Sequence, residues 1–126
     1  MEMSGANVQF LFTLQHQLKL HHWQTHSFST HKAIDDILKQ LDDHIDTYVE
    51  TYMGKYGRPT LTRTTSDVHL KNLSQKSVVT FVKGCIVYLQ GTFMKGLGEK
   101  DSALFNIRDE MIGNLQQLLY LFSLHG

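Results

Sequence analysis

The stretch THKAIDDILKQLDDHIDTYVE, residues 30–50, carries six of the chain's twelve carboxylates and two of its eight histidines. Its apolar residues recur at spacings of three and four, the mark of one helix face. With His31 set at zero and about 100° per residue, Ile34, Ile37, Leu38, Leu41, Ile45, Tyr48, Val49 and Tyr52 fall between about 240° and 360°. That is the face expected to turn inward. Asp42, Asp35, Asp46 and Glu50 follow at about 20°, 40°, 60° and 100°, so His31 and four acids run along the edge of the buried face rather than round its back.

Carboxylates stacked along a helix repel one another by a few tenths of a kcal/mol for each exposed pair three or four apart. A cation between them reverses the sign. His31 and Asp35 are one turn apart, as are Asp46 and Glu50, and imidazole nitrogen and carboxylate oxygen are ligands that hard and borderline divalent metals accept. A solvated acidic face, with Lys39 one turn from Asp35, accounts for the same residues without a metal, and both readings stand at this point.

Working outward, the only proline is Pro59, and the segments on either side keep helical spacing. Four helices are expected, over about 4–26 with Ser4 as N-cap, 30–53 with Thr30 as N-cap and Gly54 as the left-handed C-terminal residue, 74–95, and 101–124. The first and third links are a few residues long, whereas the middle one, GKYGRPTLTRTTSDVHLKNL, spans about twenty. Short links make antiparallel neighbours; a long one lets the second hairpin return along the bundle. The expected fold is all-α, one domain over residues 1–126, a ferritin-like four-helix bundle of two antiparallel hairpins joined by a long crossover, with an up-down-up-down bundle as the alternative.

Twelve basic and twelve acidic residues leave no global field to attract nucleic acid or anionic lipid. The single cysteine, Cys85, has no internal partner and reads as a buried structural thiol, which fits a reducing compartment. The N-terminus MEMSGANVQFLF has an acid at Glu2 and no basic segment, so no signal or transit peptide is expected. No window approaches the roughly 18 uncharged apolar residues of a membrane span. A cytoplasmic protein is expected, with no membrane partner and nucleic acid disfavoured.

No carboxylate lies between Glu2 and Asp35 or between Asp67 and Glu99. The first and third helices therefore offer none, and any metal site draws on the second helix, on Asp109 or Glu110, and on the histidines of LHHWQTHSFSTH, residues 20–31. If the acids lie at the edge of the bundle, a second subunit can complete the site.

The run HWQTHSFSTHKAIDDILKQLDDHIDTYVE, residues 22–50, resembles the ferroxidase segment of the Dps-type miniferritins. That family's pattern is a His-Trp pair, then His-x3-Asp, ten residues, and Asp-x3-Glu; here it is His22-Trp23, His31-x3-Asp35 and Asp46-x3-Glu50. The resemblance implies a homo-oligomer, at least a two-fold dimer, with a di-iron ferroxidase centre or a site for another divalent metal. His22, His31 and Asp35 of one subunit would face Asp46 and Glu50 of its partner. The strings HWQT and YMGKYGRP also resemble short ferritin-like proteins of viral and environmental sequences. The link from His22 to His31 is three residues shorter than in the miniferritins, and there is no Lys-rich tail. A ferritin-like bundle without an active metal centre, serving as a structural or interaction module, is the alternative function.

Other residues have more ordinary expectations. His21, His26 and His44 are expected at the surface or behind the ligands, and Trp23 to pack at the rim of the site. Glu110 and Asn114 flank the apolar arc of the fourth helix, where they cap a polar network or add a ligand. Gly84 and Gly91 share one side of the third helix, suited to close approach or to solvent. GKYGRP does not lead from a strand into a helix, so it is not a phosphate loop.

Overall fold

The computed structural model describes residues 3–124; Glu2 lies outside them. Its long elements are α1 (Gly5–Gln24), α2 (Phe28–Tyr56), α3 (Gln75–Gln90) and α4 (Ser102–Phe122), with 3-10 turns over Thr92–Met94 and Glu99–Asp101. The described residues contain no strand, and the all-α expectation holds.

Serine hydroxyls start three of the helices. Ser4 accepts from the Asn7 amide, Ser27 from that of Thr30 and Ser74 from that of Ser77, each meeting one of the donors a helix start leaves open. The expected cap at Thr30 is thus displaced by three residues. Thr30 is buried instead, its hydroxyl donating to Gln75 Oε1. The expected stop at Gly54 is also wrong: that residue is helical, and α2 continues to Tyr56 before Gly57 takes the positive φ of 99°. Pro59, two residues on, prevents resumption. α3 ends at Gln90, short of the expected Lys95, because Gly91 leaves helical geometry and the chain tightens into a 3-10 turn that buries Phe93 and Met94.

α2 packs against α1 and α4, and α3 against the same two helices. The crossover, residues 57–74, runs beside α1. Gln9 Nε2 donates to the Asp67 carbonyl, and Gln24 Nε2 to Asn72 Oδ1. Gln17, only 2% exposed, donates to the carbonyl of Lys71 and accepts from its amide. The chain is carried back the length of α1, so α2 and α3 begin at the same end: Thr30 meets Gln75 there.

All four helices supply one buried cluster. Leu14, Leu18, Ile34, Leu41, Leu115 and Leu118 are fully enclosed, each contributing about 1.5–3 kcal/mol relative to exposure. Toward the crossover end the core turns aromatic: Phe10 stacks on Tyr88 at 4.1 Å, Phe93 tilts against Tyr48 at 4.9 Å, and Tyr52 against Tyr56 at 5.0 Å. The Tyr56 hydroxyl donates to Asp101, which also receives Lys55 Nζ at 2.6 Å and the Gly98 amide at 3.0 Å. This clasp ties the end of α2 to the start of α4. Its three donors hold the Asp101 carboxyl down to about 2.

The segment Gln75–Met94, with mean hydropathy 1.3, is long and apolar enough to cross a membrane by length and composition. That is nearer a span than the sequence reading allowed. Val78, Val82, Cys85, Ile86, Leu89, Phe93 and Met94 are nonetheless buried in the bundle core, and Lys76 and Lys83 are exposed.

Two outcomes follow. The Asp101 clasp stabilises the fold above the carboxyl's ordinary value of 3.8 and loses that effect as pH falls toward 2. Urea midpoints should show Asp101→Asn less stable than the parent at pH 7, with the gap closing between pH 4 and 2. Gln17→Ala should cost about 1–3 kcal/mol, with the extra amide exchange concentrated around Lys71 rather than spread over the bundle.

Candidate metal centre

Only Thr25–Ser27 separates α1 from α2, and Thr25 Oγ1 accepts from the Ser27 amide to close the turn. The tight link brings His22, in the last turn of α1, face to face with His31 in the first turn of α2. Their rings lie 3.8 Å apart and within 13° of parallel. His22 Nδ1 is 2.8 Å from the carbonyl oxygen of His31, and His31 Nδ1 is 2.8 Å from that of His22. A carbonyl only accepts, so both Nδ1 atoms carry the proton, and in the neutral rings both Nε2 atoms are left as lone pairs. Metal-binding imidazoles are held in this way, one nitrogen donating to a fixed acceptor and the other free to ligate.

Asp35 stands one turn beyond His31, about two-thirds buried in its side chain and 3.5 Å from Lys39. Partial desolvation pushes its carboxyl up, but Lys39, with a contribution from Lys32, more than offsets that and holds it below its usual value. The structure therefore brings two of the five candidate ligands together, His22 and His31, with Asp35 one turn further along α2.

Asp46 and Glu50 lie further along. Both are exposed, and they line a cleft of about 310 Å³ whose other walls are Gln15 and apolar groups, among them Leu11, Phe12, Ile45 and Met53. Eleven residues at about 1.5 Å rise separate Asp35 from Asp46 by about 16 Å along the helix. No bridging ion spans that within one chain. Among the described residues, no three His, Cys, Asp or Glu side chains converge tightly enough to hold a metal ion. The donor chemistry fits a divalent metal, but as two incomplete halves.

The rest of the acid stripe is differently employed. Asp42 accepts from Gln15 Nε2 at 2.9 Å, tying α2 to α1, and burial pushes its carboxyl up. His44 was expected at the surface or behind the ligands; it bridges α2 and α4, with Nδ1 2.6 Å from Asn114 Oδ1 and Nε2 3.1 Å from Glu110 Oε2. Asn114 Nδ2 completes the group by reaching Gln40 Oε1 at 3.4 Å. Glu110 and Asn114 belong to this polar network and not to the His22–His31 pair. Seventy residues separate His44 from Asn114, and no local spacing joins them.

Two further expectations change. Trp23 does not pack at a rim: it is 69% exposed, and Phe28, whose ring lies 6.4 Å from that of His31, is 76% exposed. His21 is buried, not at the surface, with Nε2 3.3 Å from Gln75 Oε1. His26 is exposed, as are Gly84 and Gly91. Cys85 is buried, and desolvation pushes its thiol up to about 12, which makes it an unreactive packing group.

No curated protein and no solved structure matches the chain. One family model does, over residues 22–122, a span that includes the histidine pair, all the acids of α2 and both later helices. The chain belongs to the family of unknown function DUF5856.

Proposed function

We propose that this protein is a ferritin-like bundle that binds and oxidises iron, or binds a similar divalent metal, at a site completed across a two-fold dimer. The observation that carries the proposal is the reciprocal His22–His31 pair, which aims no proton at Nε2 of either ring and sits one turn from an ionised carboxylate. A ferritin-like arrangement is supported by the course of the crossover and by helix neighbours, with α2 and α3 each packed on α1 and α4.

The second half of the site comes from a partner. Asp46 and Glu50 lie on the same helix as Asp35, exposed and about 16 Å along it. A two-fold axis beside α2 sets the early half of one copy against the later half of the other, and does so twice, since a two-fold interface is self-complementary. His22 and His31 would supply neutral nitrogen; Asp35, Asp46 and Glu50 would supply the negative charge that offsets two divalent ions. Fe(II) is the substrate, oxidised by peroxide or oxygen from solution. The exposed apolar groups Trp23, Phe28 and Phe12 flank the two halves and would be covered by the same contact. A cytoplasmic location suits the lone buried thiol, and a chain of balanced charge has little to offer nucleic acid.

Aerobic Fe(II) titration followed at the ferric oxo absorbance should saturate at a fixed stoichiometry per dimer. Asp46→Ala with Glu50→Ala should slow it by about tenfold or more. Unchanged uptake in that variant would identify the bundle as a scaffold without an active metal centre. A sharper measurement mixes two inactive copies, one lacking Asp46 and Glu50, the other lacking His31 and Asp35. The mixed dimer holds one intact site, so activity should return on mixing; a site within one chain would leave the mixture inactive.

A further inference from the structure

Phe28 opens α2, and at 76% exposure its ring stands in solvent. Near the other end of the same helix is the cleft of about 310 Å³ between α1 and α2, with Leu11, Phe12, Val49 and Met53 among its apolar walls and Asp46 and Glu50 in its lining. That volume is at the lower end of those that hold a small organic group. At about 100° per residue from His31, Phe28 falls near 60° and Met53 near 40°, so the projecting ring and the cleft lie along one flank of α2. No copy fills its own cleft, because the twenty-five residues from Phe28 to Met53 place them about 38 Å apart along the helix.

A two-fold axis crossing α2 sets each position of one copy against the position equally far beyond the axis in the other. Phe28 and Met53 are equidistant from the midpoint between Gln40 and Leu41. That midpoint also halves the interval from His31 to Glu50 and the interval from Asp35 to Asp46. The ring and the cleft therefore ask, without reference to any metal, for the register that the two half-sites ask for. Charge favours the same antiparallel contact. Lys32 and Lys39 stand exposed in the first half of α2, whereas the second half carries Asp42, Asp43, Asp46 and Glu50 and no Lys or Arg before Lys55. The axis sets Lys39 against Asp42 and brings Lys32 beside Glu50; a parallel contact would set the acids against their own copies.

We infer that Phe28 seats in the cleft beside Met53 of a second copy of this chain, and that the two-fold makes this contact twice. The inference rests on the dimer proposed above and gives that dimer its register and its anchors. An aromatic ring buried in an apolar pocket is the kind of group that carries most of an interface's energy, and the Met53 thioether is a favourable neighbour for it. Iron is not needed for the contact, since ring and cleft are both formed in the single folded chain.

The test follows the full chain, freed of metal by a chelator, in sedimentation equilibrium. A dimer is expected; Phe28→Ala should raise its dissociation constant about tenfold or more, while Val87→Ala, 67% exposed on α3, leaves it unchanged. A second measurement replaces Phe28 with the photoreactive p-benzoylphenylalanine, which keeps an aromatic group at the contact. Irradiation should give covalent dimers whose cross-link maps to the peptide holding Val49 and Met53. A dimer as tight with Phe28→Ala as without it, cross-links that map elsewhere, or a chain that stays monomeric would each overturn the inference. A dimer that ignores Phe28 yet oxidises iron leaves the metal site standing, and a dimer anchored by Phe28 that takes up no iron leaves this contact standing.

Discussion

The crossover's attachment to α1 is the constraint from which the rest follows. Gln17 holds Lys71 by both backbone groups, with Gln9 and Gln24 fastening the strand of chain on either side. Were the loop free to turn back at once, α3 would run against α2 and sit beside it. Led the length of α1 instead, α3 runs with α2, and each packs on the two helices between them. That disposition leaves Asp36, Asp43, Asp46 and Glu50 of α2 exposed, and it gathers both helix starts at one end.

A short connection decides the chemistry as the long one decides the fold. Three residues between α1 and α2 are too few to let the helix ends splay, so the last carbonyls of one helix and the first of the next come within reach of facing imidazoles. Each ring satisfies a carbonyl near the other helix's end, and each surrenders its Nδ1 proton position to do so. The same contacts that seal the turn set the direction of two lone pairs.

Helix number, the short first link and the long crossover were legible in the sequence because they depend on local periodicity and on segment length; the third link, expected to be a few residues, instead covers residues 91–101 and holds both 3-10 turns. Cap positions were less so. Ser27 and Thr30 are equally good caps by residue type, and the choice fell to Ser27 because Thr30 finds a buried partner in Gln75, forty-five residues away. Gly54 looked like a terminator, yet the helix passes through it so that Tyr56 and Lys55 can meet Asp101. The stripe of acids was visible by angle alone; within it Asp35 and Asp42 are half-buried, whereas Asp46 and Glu50 are exposed. What angle could not tell was that Asp42 is bound to Gln15, or that His44 faces α4 and not the His22–His31 pair, because those partners are set by which helices become neighbours. His21 escaped for the same reason: one position before His22, it turns to a different helix.

The His22–His31 clamp joins residues only nine apart, while the crossover contacts close loops of 48 to 58. Loop closure grows costlier with separation and non-local contacts form late. The His22–His31 clamp thus needs only the first hairpin, and none of its groups comes from α3 or α4. A nascent chain can form it while α3 and α4 are still being made, and in the proposed site these imidazoles would be oriented before a metal or a partner's carboxylates arrived.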